Sequence, residues 1–92
     1  MKQIFIIILD PSADSSLLRA KIHELGDYYI VYNDQYLVYA DYEDAKQLYE
    51  KLVPSESVPT GIVIFSVSVE YLKYWGYSDK GLWSWLGSHV PL

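Results

Sequence analysis

The chain has 92 residues, no cysteine and a net charge of −5 at neutral pH, and 51% of its residues are hydrophobic. This length fits one domain whose single core gives only marginal stability. The absence of cysteine excludes disulfides, thiolate nucleophiles and cysteine-bound zinc, so we expect a second copy of the chain to add stability. The acidic charge balance argues against unaided binding to a polyanion such as nucleic acid.

The first element is an aliphatic run, residues 4–9, that is apolar at every position. This pattern is typical of a central strand that is covered on both faces. The run ends at Asp10 and Pro11 without a small-residue cleavage site, so we interpret it as mature protein rather than a signal peptide. No stretch approaches the roughly 20 apolar residues that span a bilayer, and we therefore expect a cytoplasmic protein with no membrane partner.

A helix is predicted directly after this strand. Three residues are able to cap its N-terminus, namely Ser12, Asp14 and Ser15. Apolar residues between positions 18 and 25 then follow the spacing of one helical face, until Gly26 ends the helix. Asp10 is therefore expected to lie just before a helix N-terminus.

The segment DYYIVYNDQYLVYA predicts a β-hairpin with strands at 28–32 and 36–40. Its turn falls at Asn33 and Asp34, residue types that tolerate the positive φ of tight hairpin turns. A second helix follows, with Asp41 as its predicted N-cap and Pro54 beyond its end. The segment SESVPTG, residues 55–61, predicts a loop.

The segment GIVIFSVSV, residues 61–69, predicts a fourth strand, and the predicted order is βαββαβ. Two βαβ halves with right-handed crossovers give a four-stranded antiparallel sheet with both helices on one face, the ferredoxin-like α+β sandwich. We assign residues 1–70 to this core. Residues 71–92 form an aromatic C-terminal extension, called the aromatic tail below.

The other face of this sheet has no predicted helix to cover it. Since strand residues alternate between faces, the run at 4–9 is apolar on both, and the open face would form an apolar patch of interface size. The aromatic tail and a second subunit are the two available covers, and we expect both to contribute. The residues predicted to pack in the tail or the dimer are Tyr28, Tyr32, Tyr36, Trp75, Trp83 and Trp85.

Several segments together carry a resemblance to a known family. They are the aliphatic strand that ends in Asp10, ELGDYY, NDQYLVYA, the helix EDAKQLYEKL and the tail YWGYSDKGLWSWL, and they cover most of the chain. The pattern resembles the SinR-like small ferredoxin-like proteins, which are related to the CRISPR-associated metal-dependent nuclease and integration-adaptor family. The resemblance implies a homodimer whose sheets face each other, with Asp10 and its symmetry mate binding a divalent metal near the dimer axis. The CRISPR-associated relatives place several basic residues near the first helix to meet nucleic acid, where this chain offers Arg19 and Lys21.

Asp10 is the candidate catalytic and metal-binding residue. Two symmetry-related carboxylates repel one another, and Mg²⁺ or Mn²⁺ between them would relieve the repulsion and activate a water against a phosphodiester. In the simpler interpretation Asp10 ends the strand and begins a turn near a helix N-terminus. We give this structural interpretation about twice the weight, because no His or Glu lies beside Asp10 in the sequence.

The tyrosines carry another alternative, since RNA-binding modules of similar topology stack bases on aromatic side chains of an open sheet face. The four candidates are Tyr28, Tyr32, Tyr36 and Tyr39. Their charged neighbours are aspartates instead of Arg or Lys, so core or dimer packing is favoured about fourfold. Binding of a small apolar ligand to the open face is a third and weaker hypothesis.

The combined pattern favours a dimeric interaction protein without catalysis or a cofactor, with a protein partner for the aromatic tail. The alternative is a Mg²⁺- or Mn²⁺-dependent endonuclease, or a nucleic-acid adaptor, that uses Asp10 at the dimer axis.

Overall fold

The computed structural model describes residues 2–54 and 61–90. Within these ranges the elements are β1 (Gln3–Leu9), α1 (Ser16–Glu24), β2 (Tyr28–Tyr32), β3 (Gln35–Ala40), α2 (Ala45–Leu52), β4 (Ile62–Val67) and α3 (Lys80–His89). The loop predicted at 55–61 lies outside the described residues except for Gly61. None of the helices in the described ranges combines the length and the apolar character that a membrane span requires.

The four strands form one antiparallel sheet in the order β2-β3-β1-β4. Strand β1 is central, and its Ile4 lies opposite Tyr39 of β3 on one side and Val67 of β4 on the other. This strand order and the succession of elements are compatible with a ferredoxin-like arrangement. The prediction of an α+β fold is confirmed, and α3 is added to the predicted elements.

Helices α1 and α2 cover one face of the sheet, called the helix face. Its core joins the odd-numbered residues of β1 to alternate residues of β3 and to one stripe of each helix. The largest buried members are Phe5, Ile7, Leu9, Ile22, Tyr36, Val38, Leu48 and Leu52. The helical stripes and the alternation along β1 correspond to the predicted spacing, because a helix repeats every 3.6 residues and a strand every two.

The start of α2 differs from the prediction. Asp44, not Asp41, is the N-cap, and its side chain accepts a hydrogen bond of 2.9 Å from the backbone N–H of Gln47. Asp44 thereby pairs one of the N–H groups that the first helical turn leaves without a partner. At the start of α1, the N-cap Ser15 makes no such side-chain bond.

The hairpin turns at Asn33 and Asp34 as predicted, but without the expected positive φ. In the described part of the chain, only glycines have positive φ. The register of β2 against β3 instead shifts between Ile30 and Tyr32. Such an irregularity bends the strand and increases its twist, which allows a turn of ordinary φ to connect the two strands.

Helix α3 packs on the opposite face of the sheet, called the tail face. Its residues Leu82 and Leu86, together with Val90, surround the fully buried Ile4. A helix of this length is marginal in isolation, so docking on the sheet is what stabilises it. Partly buried residues complete this second core: Tyr29, Val31, Leu37, Tyr39, Val69, Leu72, Tyr74, Trp83 and Trp85. The aromatic tail therefore covers part of its own sheet.

Candidate functional site

Asp10 follows the last residue of β1, and its carboxylate closes a turn. Oδ1 accepts hydrogen bonds from the backbone N–H of Ser12 at 2.9 Å and from the hydroxyl of Ser12 at 2.7 Å. These two bonds lower the pKa of Asp10, the hydroxyl bond more strongly, because both favour the ionised carboxylate. The geometry is that of a side chain which replaces a backbone partner in a turn. It matches the structural interpretation of the sequence pattern.

Gly61 lies against Asp10 from the start of β4. The backbone N–H of Asp10 donates to the carbonyl oxygen of Gly61 at 2.9 Å. A Cβ atom at position 61 would lie only 2.6 Å from the Cβ of Asp10, so the approach requires glycine. The position of the carboxylate is therefore determined both by its own turn and by the neighbouring strand.

The described residues contain no group of three or more His, Asp or Glu side chains that could hold a metal ion. The nearest acidic residue in the sequence is Asp14, whose carboxylate accepts bonds from the backbone N–H and the hydroxyl of Ser16 at 3.1 and 2.7 Å. Mg²⁺ and Mn²⁺ prefer several oxygen ligands. Among the described residues Asp10 belongs to no such group, so a divalent ion there would need oxygen ligands beyond this one carboxylate.

Arg19, the first candidate nucleic-acid contact, bonds to the turn of the hairpin. Its Nη2 atom donates to Asp34 Oδ1 at 2.9 Å, which makes an ion pair, and Nη1 donates to the carbonyl oxygen of Asn33. Its Nε atom donates to the hydroxyl of Ser15 at 2.9 Å. Arg19 therefore connects the start of α1 to the β2–β3 turn.

Lys21, the second candidate, bonds to the end of α2. Its Nζ atom donates to the carbonyl oxygen of Leu52 at 3.2 Å. A cation in this place pairs a helix-terminal carbonyl and is favoured by the helix dipole. Both basic residues thus donate hydrogen bonds within the fold, which leaves fewer donors free to contact a phosphate backbone.

The structure separates the tyrosines that the sequence places together. Tyr36 is buried in the core of the helix face, and its hydroxyl lies 3.3 Å from Nε2 of His23. The ring of Tyr28 packs against the same core and stacks on His23 with ring centroids 4.6 Å apart. Tyr32 is exposed. Tyr28 and Tyr36 therefore belong to the core under the helices and not to the face that the tail covers.

Polar bonds that sequence reasoning missed hold the start of α3. The hydroxyl of Tyr29 donates to Asp79 Oδ1 at 2.5 Å, and the same oxygen accepts the backbone N–H of Leu82 at 3.0 Å. The bond from Tyr29 is the largest cause of a lowered pKa at Asp79 and of a raised pKa at Tyr29. Asp79 is recognisable as an N-cap from the sequence, whereas its partner from β2 is not.

Asp27 holds the other end of α3. The indole Nε1–H of Trp85 donates to Asp27 Oδ1 at 2.9 Å, and Nε2 of His89 lies 3.0 Å from Asp27 Oδ2. The ring of His89 also stacks on Tyr39, with centroids 4.0 Å apart. Trp85 thus packs against its own sheet. Trp83 is also half-buried in α3 and stacks on Tyr74.

The part of the tail face near Asp10 is not covered by α3. Ile6 pairs with Phe65 and Ile8 with Val63 across β1 and β4, so these four residues share the tail face. Ile8 is 38% exposed, and Val63 and Phe65 are each 52% exposed. We call these four residues the tail-face patch. The patch is apolar, adjoins the edge strand β4, and contains no charged side chain.

Comparison with protein-family models, with curated proteins and with solved structures finds no match to this chain. The class of this protein is therefore assigned from its fold alone. It is an α+β domain with an open four-stranded antiparallel sheet and helices on both faces. The resemblance to the SinR-like proteins stays a prediction. A functional proposal must rest on the geometry of this chain's own residues.

Proposed function

We propose that this chain is an interaction protein that associates with a second copy of itself through the tail-face patch. The observation that carries the proposal is the exposure of Ile8, Val63 and Phe65 on an ordered sheet face. A contiguous apolar surface of this kind marks an interaction site, because water contact with its side chains costs free energy that association recovers.

The charge distribution favours a second copy at this place. The chain carries a net charge of −5, so two copies repel one another over most of their surfaces. The tail-face patch carries no charge, and a two-fold axis through it would bring the same uncharged surface of both copies together. Contact through the tail-face patch therefore combines the smallest repulsion between like charges with the largest free-energy gain from apolar burial.

The size of the patch sets the expected affinity. Standard interfaces bury about 800 Å² on each partner, which is more than four side chains supply. Residues around the patch must therefore contribute, and we expect a dimer that dissociates on dilution instead of an obligate one. A partner protein for the aromatic tail is compatible with this proposal, because Trp75 and Tyr77 are fully exposed.

The test compares Phe65→Asp with Leu17→Asp by analytical ultracentrifugation over a range of concentrations. Phe65→Asp places a charge in the patch, whereas Leu17 is 80% exposed on α1, on the other side of the sheet. We expect wild type and Leu17→Asp to dimerise and Phe65→Asp to remain monomeric with an unchanged circular dichroism spectrum. A wild type that is monomeric throughout, or a Phe65→Asp variant that still dimerises, would contradict the proposal.

A second experiment tests the alternative function, a nuclease or nucleic-acid adaptor. The described contacts of Asp10, Arg19 and Lys21 do not favour this alternative. Wild type and Asp10→Ala are compared for cleavage and binding of single- and double-stranded DNA and RNA with Mg²⁺ or Mn²⁺, at the same verified mass. We expect no activity from either. Cleavage that requires both the metal and Asp10 would replace the proposed function with the alternative.

A further inference from the structure

A second apolar surface lies where the residues before α3 fold against that helix. They enclose a groove of about 610 Å³, a volume within the usual range of small-molecule sites. The groove is lined by Leu72, Lys73, Tyr74, Trp75, Gly76, Trp83 and Val90. It shares no residue with the tail-face patch.

Two fixed aromatic rings form one part of this groove. The rings of Tyr74 and Trp83 are nearly parallel, 14° apart in plane with centroids 6.0 Å apart, and Trp83 is held in the docked helix α3. Both side chains pack against the tail-face core. This part of the groove is therefore preformed, which lowers the entropy that a ligand must lose on binding.

Trp75 differs from these two rings because its side chain is fully exposed. A fully exposed indole contributes nothing to the core and leaves a large apolar area in water. Its position beside the Tyr74–Trp83 pair gives the groove a free aromatic surface. A flat ring is the ligand shape that such a surface contacts best, since offset stacking gains free energy beyond the buried area alone.

Among the residues that the structure describes, Lys73 is the one charged residue that lines the groove. The chain as a whole has twelve acidic and seven basic residues, whereas the described lining residues carry one ammonium group, so the described lining is opposite in charge to the chain as a whole. We propose that the groove binds a small amphipathic anion, in which a flat aromatic body contacts Trp75 and one carboxylate pairs with Nζ of Lys73.

The same charges limit which ligands fit. A cation would be repelled by the ammonium of Lys73, the one charge among the described lining residues. A polyanion would be repelled by the chain as a whole, which carries a net charge of −5. A single negative charge on an apolar body avoids both kinds of repulsion.

The probe is naphthalene-2-carboxylate, with neutral naphthalene-2-carboxamide as its matched control. Binding is followed by the NMR signals of the three indole Nε1–H groups. We expect the signals of Trp75 and Trp83 to shift saturably, while that of Trp85, bonded to Asp27, serves as an internal reference. The carboxylate should bind about fivefold more tightly than the carboxamide, the upper range for an exposed ion pair.

Three variants assign the two contacts. Lys73→Gln should reduce the affinity for the carboxylate to that for the carboxamide. The control Lys46→Gln replaces an exposed lysine on α2 and should change neither affinity. Trp75→Ala should weaken both probes about tenfold through the lost ring contact. Because Trp75 is fully exposed, its replacement removes no core contact, and unchanged α3 signals verify the fold.

Three results would overturn the proposal. The first is equal affinity for the two probes, which would make the groove a neutral apolar site. The second is unchanged binding in Lys73→Gln or Trp75→Ala. The third is the absence of a saturable shift at Trp75 and Trp83 up to millimolar probe.

Discussion

The two faces of the sheet are covered in different ways. On the helix face, two helices bury Phe5 and Ile7 completely beneath aliphatic side chains. On the tail face, one helix buries Ile4 but leaves Ile8 38% exposed. The apolar contacts of that helix are supplemented by directional polar bonds at its two ends, to Tyr29 and to Asp27.

Because of this difference, we expect the two faces to differ in the free energy needed to open them. Apolar burial is non-directional and accumulates over many side chains, so the helix face should remain closed until the whole domain unfolds. A helix docked by a few apolar residues and some exposed polar bonds can open locally at a smaller free-energy cost. We therefore expect the tail face to be the part of the molecule that opens, exchanges partners and binds ligands.

The largest expected effect is on the helix face. Leu48→Ala leaves a cavity at a fully buried position of α2 and should lower the free energy of unfolding by about 2–5 kcal/mol. Urea denaturation followed by circular dichroism measures this loss. Leu17→Ala, on the exposed side of α1, should stay within about 0.5 kcal/mol of wild type. Similar losses in both variants would contradict the described core.

A smaller and local effect is expected on the tail face. Leu86→Ala should weaken the docking of α3 by about 2 kcal/mol, because the helix can detach without opening the helix face. Amide hydrogen exchange should then become faster in α3 while β1 stays protected. The control Ser84→Ala changes an exposed residue of the same helix. Equal acceleration in α3 and β1 would show that the two faces unfold as one unit.

Replacing either of two glycines in α3 by alanine should change the stability of the protein, in opposite directions at the two positions. At Gly81 a Cβ atom would lie 2.7 Å from the hydroxyl oxygen of Tyr29, so Gly81→Ala displaces that ring and weakens its bond to Asp79. At Gly87 nothing lies within 4 Å, and Gly87→Ala should stabilise the helix by about 1 kcal/mol through propensity alone. Thermal unfolding curves compare the two. Stabilisation by both would refute the close approach of Tyr29.

The smallest effect is a pH dependence of the docked helix. The pKa of Asp79 is lowered from its ordinary value of 3.8, so its contribution to docking is complete above that value. The contribution is lost as the pH falls through the lowered pKa, because the unfolded chain then binds the proton more readily. Trp83 and Trp85 fluorescence should therefore report undocking of α3 in acid.

Asp79→Asn is the control for this titration. Asp27 and His89 also place titratable groups against α3, so the measured quantity is the difference between wild type and Asp79→Asn. Asparagine can still accept the bonds of Tyr29 and Leu82 but does not titrate in acid. Identical acid transitions in the two proteins would exclude Asp79 as the cause.

Much of the fold could be predicted, but the details of individual contacts could not. The faces of β1 and the helical stripes follow from periodicity alone. The N-cap of α2 could not be decided in this way, because Asp41 and Asp44 both suit the pattern; in the structure Asp44 is the N-cap and accepts the bond from Gln47. The sequence pattern likewise leaves both interpretations of Asp10 open. Its bonds to Ser12 and the approach of Gly61 support the turn role, and they depend on the three-dimensional path of the chain.

By itself, the sequence determined the four strands, α1 and α2, their order and the apolar content of both sheet faces, because these depend on short-range periodicity and on the handedness of crossovers. Only the tertiary structure decided that the aromatic tail docks on its own sheet, that Tyr29 bonds to Asp79, and that the tail-face patch and the groove at Trp75 stay open. These features join residues that are distant along the chain. Their partners are selected by directional bonds and shape in three dimensions, which no local pattern encodes.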